Sequence, residues 1–233
     1  MKIAVVIIVL NLFFACSYKP ISKDIRERFT NKLEGKNTNI RSLLNIDGYY
    51  QFWERGEFLK NNRTGKLDSF FVQMLFYEDG SFVYSFFFRQ PFPPDVDSCL
   101  MAIARNGIGD EFYIGSYWGA YKIDGDTIVA QYINNVSRSY LAPWFGGEFW
   151  LKVIKYNEIK IVHMADLKKM TDQDIRLNKE MVVSKFTNGK FHPLDTIPPP
   201  HGWVKKERWI WRNEADWKKY VEKLVKLSSR KSN

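Results

Sequence analysis

Short aromatic segments separated by tight-turn sequences run through most of the chain, and they constrain its fold more than any other feature. Asp79-Gly80 and Asn188-Gly189 favour two-residue hairpin turns, because their residues tolerate positive φ. Asp124–Asp126 and Asn157-Glu158 separate further pairs of apolar segments. The pattern predicts nine strands: Tyr49–Trp53, Phe70–Tyr77, Phe82–Arg89, Phe112–Ile123, Ile128–Ile133, Phe149–Tyr156, Ile159–Met164, Met181–Thr187 and Phe191–Ile197. Since no βαβ rhythm is visible, we expect an all-β fold with minor α content, built as an antiparallel up-and-down meander.

A long meander of apolar strands must have its edges covered, and closure into a barrel removes those edges. Alternation along one predicted strand supports a barrel with one dry and one wet face in places. On one side of that strand lie Tyr117, Gly119, Tyr121 and Ile123, and on the other Trp118, Ala120 and Lys122. We therefore expect a single barrel of about eight to ten strands.

Two segments carry a resemblance to a known family. Gly115–Ile128, together with Gly48-Tyr49-Tyr50 at the first strand, resembles the lipocalin-like barrels of bacterial lipoproteins. The resemblance covers roughly residues 46–197 and the helix that follows. It implies one lipocalin-like barrel domain, residues 46–233, with the C-terminal helix packed outside.

The N-terminus has the pattern of an export signal. Lys2 precedes an apolar run from Ile3 to Ala15, which is too short to span a bilayer comfortably and is typical of a secretory signal. Ala15-Cys16 resembles the cleavage site of lipoproteins of the Bacteroidota type, and this resemblance implies cleavage before Cys16 and lipidation of Cys16. Two alternatives remain open: an ordinary signal peptidase site with Cys16 incidental, or a buried N-terminal helix.

This interpretation divides the chain into a signal peptide (1–15), a lipid-anchor spacer (16–45) and the barrel domain (46–233). Ser22 is a candidate N-cap for a short helix in the spacer. We expect the protein in a Gram-negative cell envelope, attached by its lipid to the outer membrane and facing the periplasm or the cell surface. The second cysteine, Cys99, either pairs with Cys16 or stays alone as a small buried hydrophobe.

The formal net charge of +9 is unevenly distributed. From Trp203 to Asn233, ten Lys or Arg residues stand against four acidic residues, a net charge of +6. The basic character therefore belongs to the C-terminal segment, and no basic stripe crosses the barrel. With export also implied, nucleic acid is not an expected partner.

A C-terminal helix is predicted over residues 213–227. Asn213 is a good N-cap, and Glu214 and Asp216 follow in the first turn, where the helix dipole favours acids. The apolar stripe consists of Trp217, Tyr220, Val221, Leu224 and Leu227. Either this stripe docks on the barrel, or the helix lies on anionic lipid. We expect docking, because a lipid-anchored protein gains little from a second membrane contact.

The sequence carries no nucleophile motif, phosphate-binding loop or paired metal-ligand motif. His163, His192 and His201 are far apart and form no spaced pair. We therefore predict no catalytic residue, no metal and no cofactor, and a protein that binds rather than catalyses.

The candidate binding residues are aromatic. Tyr140–Gly147 is an apolar stretch between two strands, with Gly146-Gly147 as a hinge. It is interpreted as a lid over the barrel mouth, as a patch that contacts another envelope protein, or as a loop folded onto the core. Two functions remain open: a barrel that binds a small hydrophobic or saccharide ligand, or a barrel filled by its own aromatics that serves as a protein–protein interaction module of an envelope complex. The candidate ligand contacts are Tyr84, Tyr117, Tyr121, Tyr132, Trp144 and Phe145.

Overall fold

The computed structural model of the chain describes residues 21–53, 71–84, 95–109, 111–134, 144–167 and 186–231. Cys16 and the predicted signal peptide lie outside the described residues, as do Tyr140–Pro143 and most of the predicted strand Met181–Thr187. Among the described helices, none is long and apolar enough to cross a membrane.

Eight antiparallel strands in the described residues form a closed barrel, and their order around it follows the sequence. The strands are β1 (Gly48–Trp53), β2 (Phe71–Phe76), β3 (Ser81–Tyr84), β4 (Tyr117–Asp124), β5 (Thr127–Asn134), β6 (Phe145–Lys155), β7 (Glu158–Asp166) and β8 (Gly189–Pro193). The sheet closes where β1 pairs with β8, with Gly48 opposite Pro193. The all-β class, the up-and-down meander and its closure into a barrel are therefore confirmed.

Predicted turn residues form the hairpins. Gly80 has φ 85° between β2 and β3, and Gly125 has φ 59° between β4 and β5. Glycine adopts this left-handed backbone without the clash that a Cβ would cause. These two hairpins could therefore be predicted from local sequence alone.

Helix α1 (Lys23–Arg28) confirms the short helix predicted in the spacer. The Oγ of Ser22 accepts a hydrogen bond from the backbone N–H of Ile25 at 3.4 Å. Ile25 is buried against the outside of the barrel, so α1 belongs to the folded domain and not to a free spacer.

Helix α2 (Val96–Asn106) was not predicted from the sequence. The Oδ1 of Asp95 caps its first turn by accepting a hydrogen bond from Ser98 N–H at 3.2 Å, and Gly107 ends it with φ 62°. Cys99 lies half-buried on α2.

The predicted strand Phe112–Ile123 is also shorter than expected. Its first residues belong to a π-helical turn over Glu111–Gly115, and β4 begins at Tyr117.

Apolar side chains fill the inside of the barrel. They alternate along each strand, so that Tyr50 and Phe52 of β1 face the same interior as Phe76 of β2. These residues form the inner core with ring-to-ring contacts, and the centroids of Phe76 and Phe82 are 5.9 Å apart.

A second core lies outside the barrel wall. Trp118 is completely buried there, its Nε1 donates a hydrogen bond to the carbonyl of Phe112 at 2.9 Å, and its ring stacks on Tyr77 at 5.8 Å. The predicted wet face is therefore wrong at Trp118 and Ala120, which point outward but are buried. The physical reason is that α1, α2 and the C-terminal segment cover this wall. We call the cluster of buried apolar residues on this side of the wall, which includes Phe29, Leu100, Phe112, Trp118 and Val204, the outer core.

Helix α3 (Glu214–Lys231) packs outside the barrel, as predicted. It follows a 3-10 helix at Trp203–Lys206, and Trp217 Nε1 donates a hydrogen bond to the carbonyl of Lys206 at 2.9 Å. The ring of Tyr220 contacts Trp211 at a centroid distance of 5.3 Å. The first half of the helix therefore docks on the barrel through the predicted apolar stripe.

Candidate functional site

The two ends of the barrel differ. At the turn end, short turns at Asp79-Gly80, Asp124–Asp126 and Tyr156-Asn157 join the strands. A 3-10 helix at Ile40–Ser42 covers this end, and Ile40 and Leu44 are completely buried in the inner core. At the loop end the connections are long: 54–70, 85–116, 135–144 and 167–188. The described residues therefore close the turn end, whereas the long connections all lie at the loop end.

Five aromatic rings meet inside the loop end. Tyr84 ends β3, Tyr117 begins β4 and Phe145 begins β6, so all three lie at the rim. The centroids of Tyr84 and Tyr117 are 5.3 Å apart, and those of Tyr117 and Phe145 are 5.5 Å apart. Tyr132 lies between them, at 5.0 Å from Tyr84, and Phe149 contacts Tyr84 from below at 4.7 Å. We call Tyr84, Tyr117, Tyr132, Phe145 and Phe149 the tyrosine cluster.

The hydroxyls of Tyr117 and Tyr132 in the tyrosine cluster remain protonated at neutral pH. Burial raises the pKa of Tyr117, and a hydrogen bond with Asn134 only partly opposes this. Burial also raises the pKa of Tyr132. Protonated phenols can donate and accept hydrogen bonds, and their ring faces bind apolar surfaces. The cluster therefore combines the two kinds of contact that a small hydrophobic or saccharide ligand needs.

Gly146 and Gly147 were predicted to be a hinge, but in the structure they have a different role beside the tyrosine cluster. Gly146 and Gly147 lie within β6, paired with Ile133 and Tyr132, so they are not the hinge of a lid. A Cβ on Gly147 would lie 2.5 Å from the hydroxyl oxygen of Tyr132, so the glycine makes room for that ring.

Four of the six residues predicted from the sequence thus meet at the loop end, and two do not. Tyr121 lies near the turn end, where its hydroxyl donates to the carbonyl of Tyr77 at 2.6 Å and lies 2.7 Å from Thr38 Oγ1. Trp144 lies in the outer core, where its ring contacts Trp203 at 5.3 Å. Sequence analysis missed Phe149, although its position on the inward side of β6 follows from the alternation.

A second concave surface lies outside the barrel, between α3 and the π-helical turn. We call it the helix groove, and its volume is about 570 Å³. The residues that line it are Gly107, Tyr113, Ile114, His201, Trp203, Lys206, Trp217, Val221, Leu224 and Val225. Sequence analysis did not assign this site, because its walls come from segments about ninety residues apart.

A buried ion pair lies behind the helix groove. Lys205 is 2% exposed, and its Nζ pairs with the carboxylate of Asp79. The same ammonium lies 4.8 Å above the ring of Tyr220, and the backbone N–H of Ser81 donates to Asp79 at 3.0 Å. Burial lowers the pKa of Lys205, and the charge of Asp79 opposes this change. The pair ties the 3-10 helix at Trp203–Lys206 to the turn between β2 and β3.

In the described ranges, no three His, Cys, Asp or Glu side chains lie close enough together to hold a metal ion. Comparison with protein-family models, curated proteins and solved structures found no match to this chain. The eight-stranded closed barrel is compatible with a ligand-binding, lipocalin-like fold.

Proposed function

We propose that the protein is an exported envelope protein, anchored to the outer membrane by lipid on Cys16, whose barrel binds a small hydrophobic or saccharide ligand at the loop end. The observation that carries the binding proposal is the difference between the two ends. Ile40 and Leu44 close the turn end, whereas the loop end carries the tyrosine cluster and all of the long connections. Binding sites in barrels occur preferentially at such mouths.

The chemistry of the cluster favours binding over catalysis. A nucleophile or general base needs a lowered pKa or a proton acceptor beside it. Burial raises the pKa of Tyr117 and Tyr132, which keeps both groups as hydrogen-bond donors. Ring faces with protonated hydroxyls can hold a sugar ring or an apolar molecule with a few polar groups.

The test uses variants that remove hydroxyls and retain rings. Calorimetric titration of the chain lacking residues 1–15, with panels of oligosaccharides and small apolar compounds, measures binding. For a saccharide we expect Tyr117→Phe and Tyr132→Phe each to weaken binding by about fivefold, since a lost hydrogen bond costs about 1 kcal/mol. For a purely apolar ligand, the same variants should leave the affinity unchanged, while Phe149→Ala weakens it.

Tyr49→Phe is the matched control. The Tyr49 hydroxyl donates a hydrogen bond to Asp97 at 2.8 Å outside the barrel, so its loss alters stability without altering the interior. Equal losses of affinity in Tyr49→Phe and Tyr117→Phe would contradict a site at the loop end.

A second function, a non-catalytic protein–protein interaction module, is favoured by one observation. The rings of the tyrosine cluster already contact one another, with centroid distances from 4.7 to 6.5 Å. A barrel filled in this way needs no ligand, and its outer surface would then contact an envelope partner. If no compound gives saturable heat and an envelope protein co-purifies with the intact barrel, this second function replaces the first.

A further inference from the structure

The walls of the helix groove are held in place before any ligand arrives. On one side, the hydrogen bond from Trp217 Nε1 to the carbonyl of Lys206 fixes α3 against the 3-10 helix. On the other, the ring of Tyr113 lies nearly parallel to the buried Trp118, with centroids 6.4 Å apart. Trp203 is supported from behind by Trp144. A preformed groove loses little conformational entropy when it binds.

The groove is mainly apolar and opens to solvent. Ile114 and Val225 at its edge are 48% and 62% exposed, and Trp217, Val221 and Leu224 continue the apolar surface along α3. Large apolar side chains that line a concave surface and contact water are typical of a binding site.

The size of the groove indicates a small molecule and not a protein. Its volume of about 570 Å³ falls within the range of ligand pockets. Ten of the described residues line it, whereas a stable protein interface involves roughly 20–30 residues on each side. A single extended chain suits a groove that follows one helix.

The charge around the groove favours an acidic head group. Lys206 is exposed at the edge, and none of the described residues that line the groove is Asp or Glu. The segment from Trp203 to Asn233 carries a net charge of +6. The net charge of this segment therefore favours an anion at Lys206.

We propose that the helix groove binds a single-chain amphiphile with an acidic head group, of the long-chain fatty acid class. The chain lies along Trp217, Val221 and Leu224, and the carboxylate pairs with Lys206. This site lies outside the barrel wall and is separate from the tyrosine cluster, so neither proposal depends on the other.

Contact quenching of tryptophan fluorescence tests the position of the chain. The protein is the chain lacking residues 1–15 and carrying Cys16→Ser, which retains every described residue of the barrel and the groove. A fatty acid brominated in its chain should give saturable, partial quenching below its critical micelle concentration, because Trp203 and Trp217 line the groove. Trp217→Phe should reduce the amplitude of quenching, because it removes one of the two tryptophans that line the groove.

Two exposed positions on α3 give a matched pair of charge variants. Val225→Glu places a carboxylate at the groove edge and should weaken fatty acid binding by about tenfold through repulsion and lost apolar contact. Ala215→Glu adds the same charge at an exposed position that does not line the groove, and it should leave the affinity unchanged. Both sites are exposed, so neither change disturbs the core.

The head group is tested by comparing an acid with the alcohol of the same chain length. Lys206→Gln should weaken binding of the acid by about fivefold and leave the alcohol unaffected, because an exposed ion pair contributes up to about 1 kcal/mol. Lys219→Gln, an exposed lysine of α3 that does not line the groove, is the control for net charge.

Three results would overturn the proposal. One is the absence of saturable quenching by the monomeric fatty acid. Another is an equal effect of Val225→Glu and Ala215→Glu. The third is binding to anionic vesicles without binding to monomeric acid, which would make α3 a membrane-contacting helix instead. Phe149→Ala, which changes the barrel interior and not the groove, should not change the quenching; a loss of quenching in this variant would place the fatty acid in the barrel instead.

Discussion

Removing either member of the Lys205–Asp79 ion pair should destabilise the fold strongly. Lys205 is 2% exposed, so Asp79→Asn leaves an ammonium group buried without its counter-charge. Loss of one partner of a buried pair costs about 3–5 kcal/mol in free energy of unfolding, and we expect about 4 kcal/mol for Asp79→Asn. Lys205→Met should cost less, about 3 kcal/mol, because the Asp79 side chain is 31% exposed and keeps its hydrogen bonds from Ser81.

The two variants should respond to pH in opposite directions. Burial lowers the pKa of Lys205 below its ordinary value, and nearby Lys223 lowers it further, while Asp79 opposes the change. Without Asp79 the folded-state pKa falls more, whereas the unfolded chain holds this proton up to about pH 10.4. Since stability rises with pH wherever the unfolded state binds more protons, the penalty of Asp79→Asn should shrink as the pH rises from 7 to 10.

The Lys205→Met penalty should instead shrink on acidification. In the intact pair, burial acts to raise the pKa of Asp79, but Lys205 and Ser81 outweigh it and the pKa is lowered. Without Lys205, the carboxyl loses its strongest pKa-lowering partner, so its folded-state pKa is higher than in the wild type. The wild type therefore loses more stability than the variant as the pH falls from 7 towards 4, and the penalty shrinks.

Urea unfolding of wild type, both single variants and the double variant, at pH 4, 7 and 10, measures these effects. Burial raises the pKa of Tyr77 and Tyr220, so these neighbouring hydroxyls stay protonated at pH 10 and do not imitate the lysine. The double variant should cost less than either single variant, because neither charge remains alone. Additive single effects with the same penalty at all three pH values would refute a buried, coupled pair.

Two further predictions concern the anchor and the outer core. Cys16→Ser should abolish incorporation of a fatty-acid analogue that labels the wild type in cells; an unlabelled wild type, or equal labelling of both, would contradict lipidation. Gly202→Ala should destabilise the fold by about 1–3 kcal/mol, because its Cβ would overlap the ring of the completely buried Trp118. Gly125→Ala is the control: its turn has φ 59° but nothing within 4 Å, so only backbone strain of about 1 kcal/mol is expected in thermal unfolding.

Local patterns predicted the barrel, because hairpins are specified by neighbouring residues. The turns at Gly80 and Gly125 and the alternation of Tyr117 with Trp118 needed no knowledge of distant segments. Helix α2 carried readable signals as well, since Asp95 stands at its N-cap and Gly107 at its end. The prediction for this segment concerns only Cys99 and makes no use of these capping signals.

The outer core could not be predicted because burial of an outward face depends on what covers it. Trp118 alternates with Tyr117 as expected, but its burial requires α2 and the segment around Gly202. The same holds for the helix groove. Tyr113 and Trp217 come from distant parts of the chain, and packing against the outer core, with Tyr113 also in contact with His201, brings their segments together.

The two proposed sites lie on opposite faces of the barrel wall, and two consecutive residues of β4 belong one to each side. Tyr117 points inward to the tyrosine cluster, and Trp118, the next residue, points outward and supports Tyr113 in the groove. Because successive side chains of a strand face opposite sides, loss of the Tyr117 hydroxyl changes the interior and leaves the groove wall intact. The reverse holds for Val225, which lines the groove and is 62% exposed. A closed barrel with apolar residues on both faces of its strands can therefore carry two independent sites, and hydroxyl and charge variants chosen from opposite faces distinguish them.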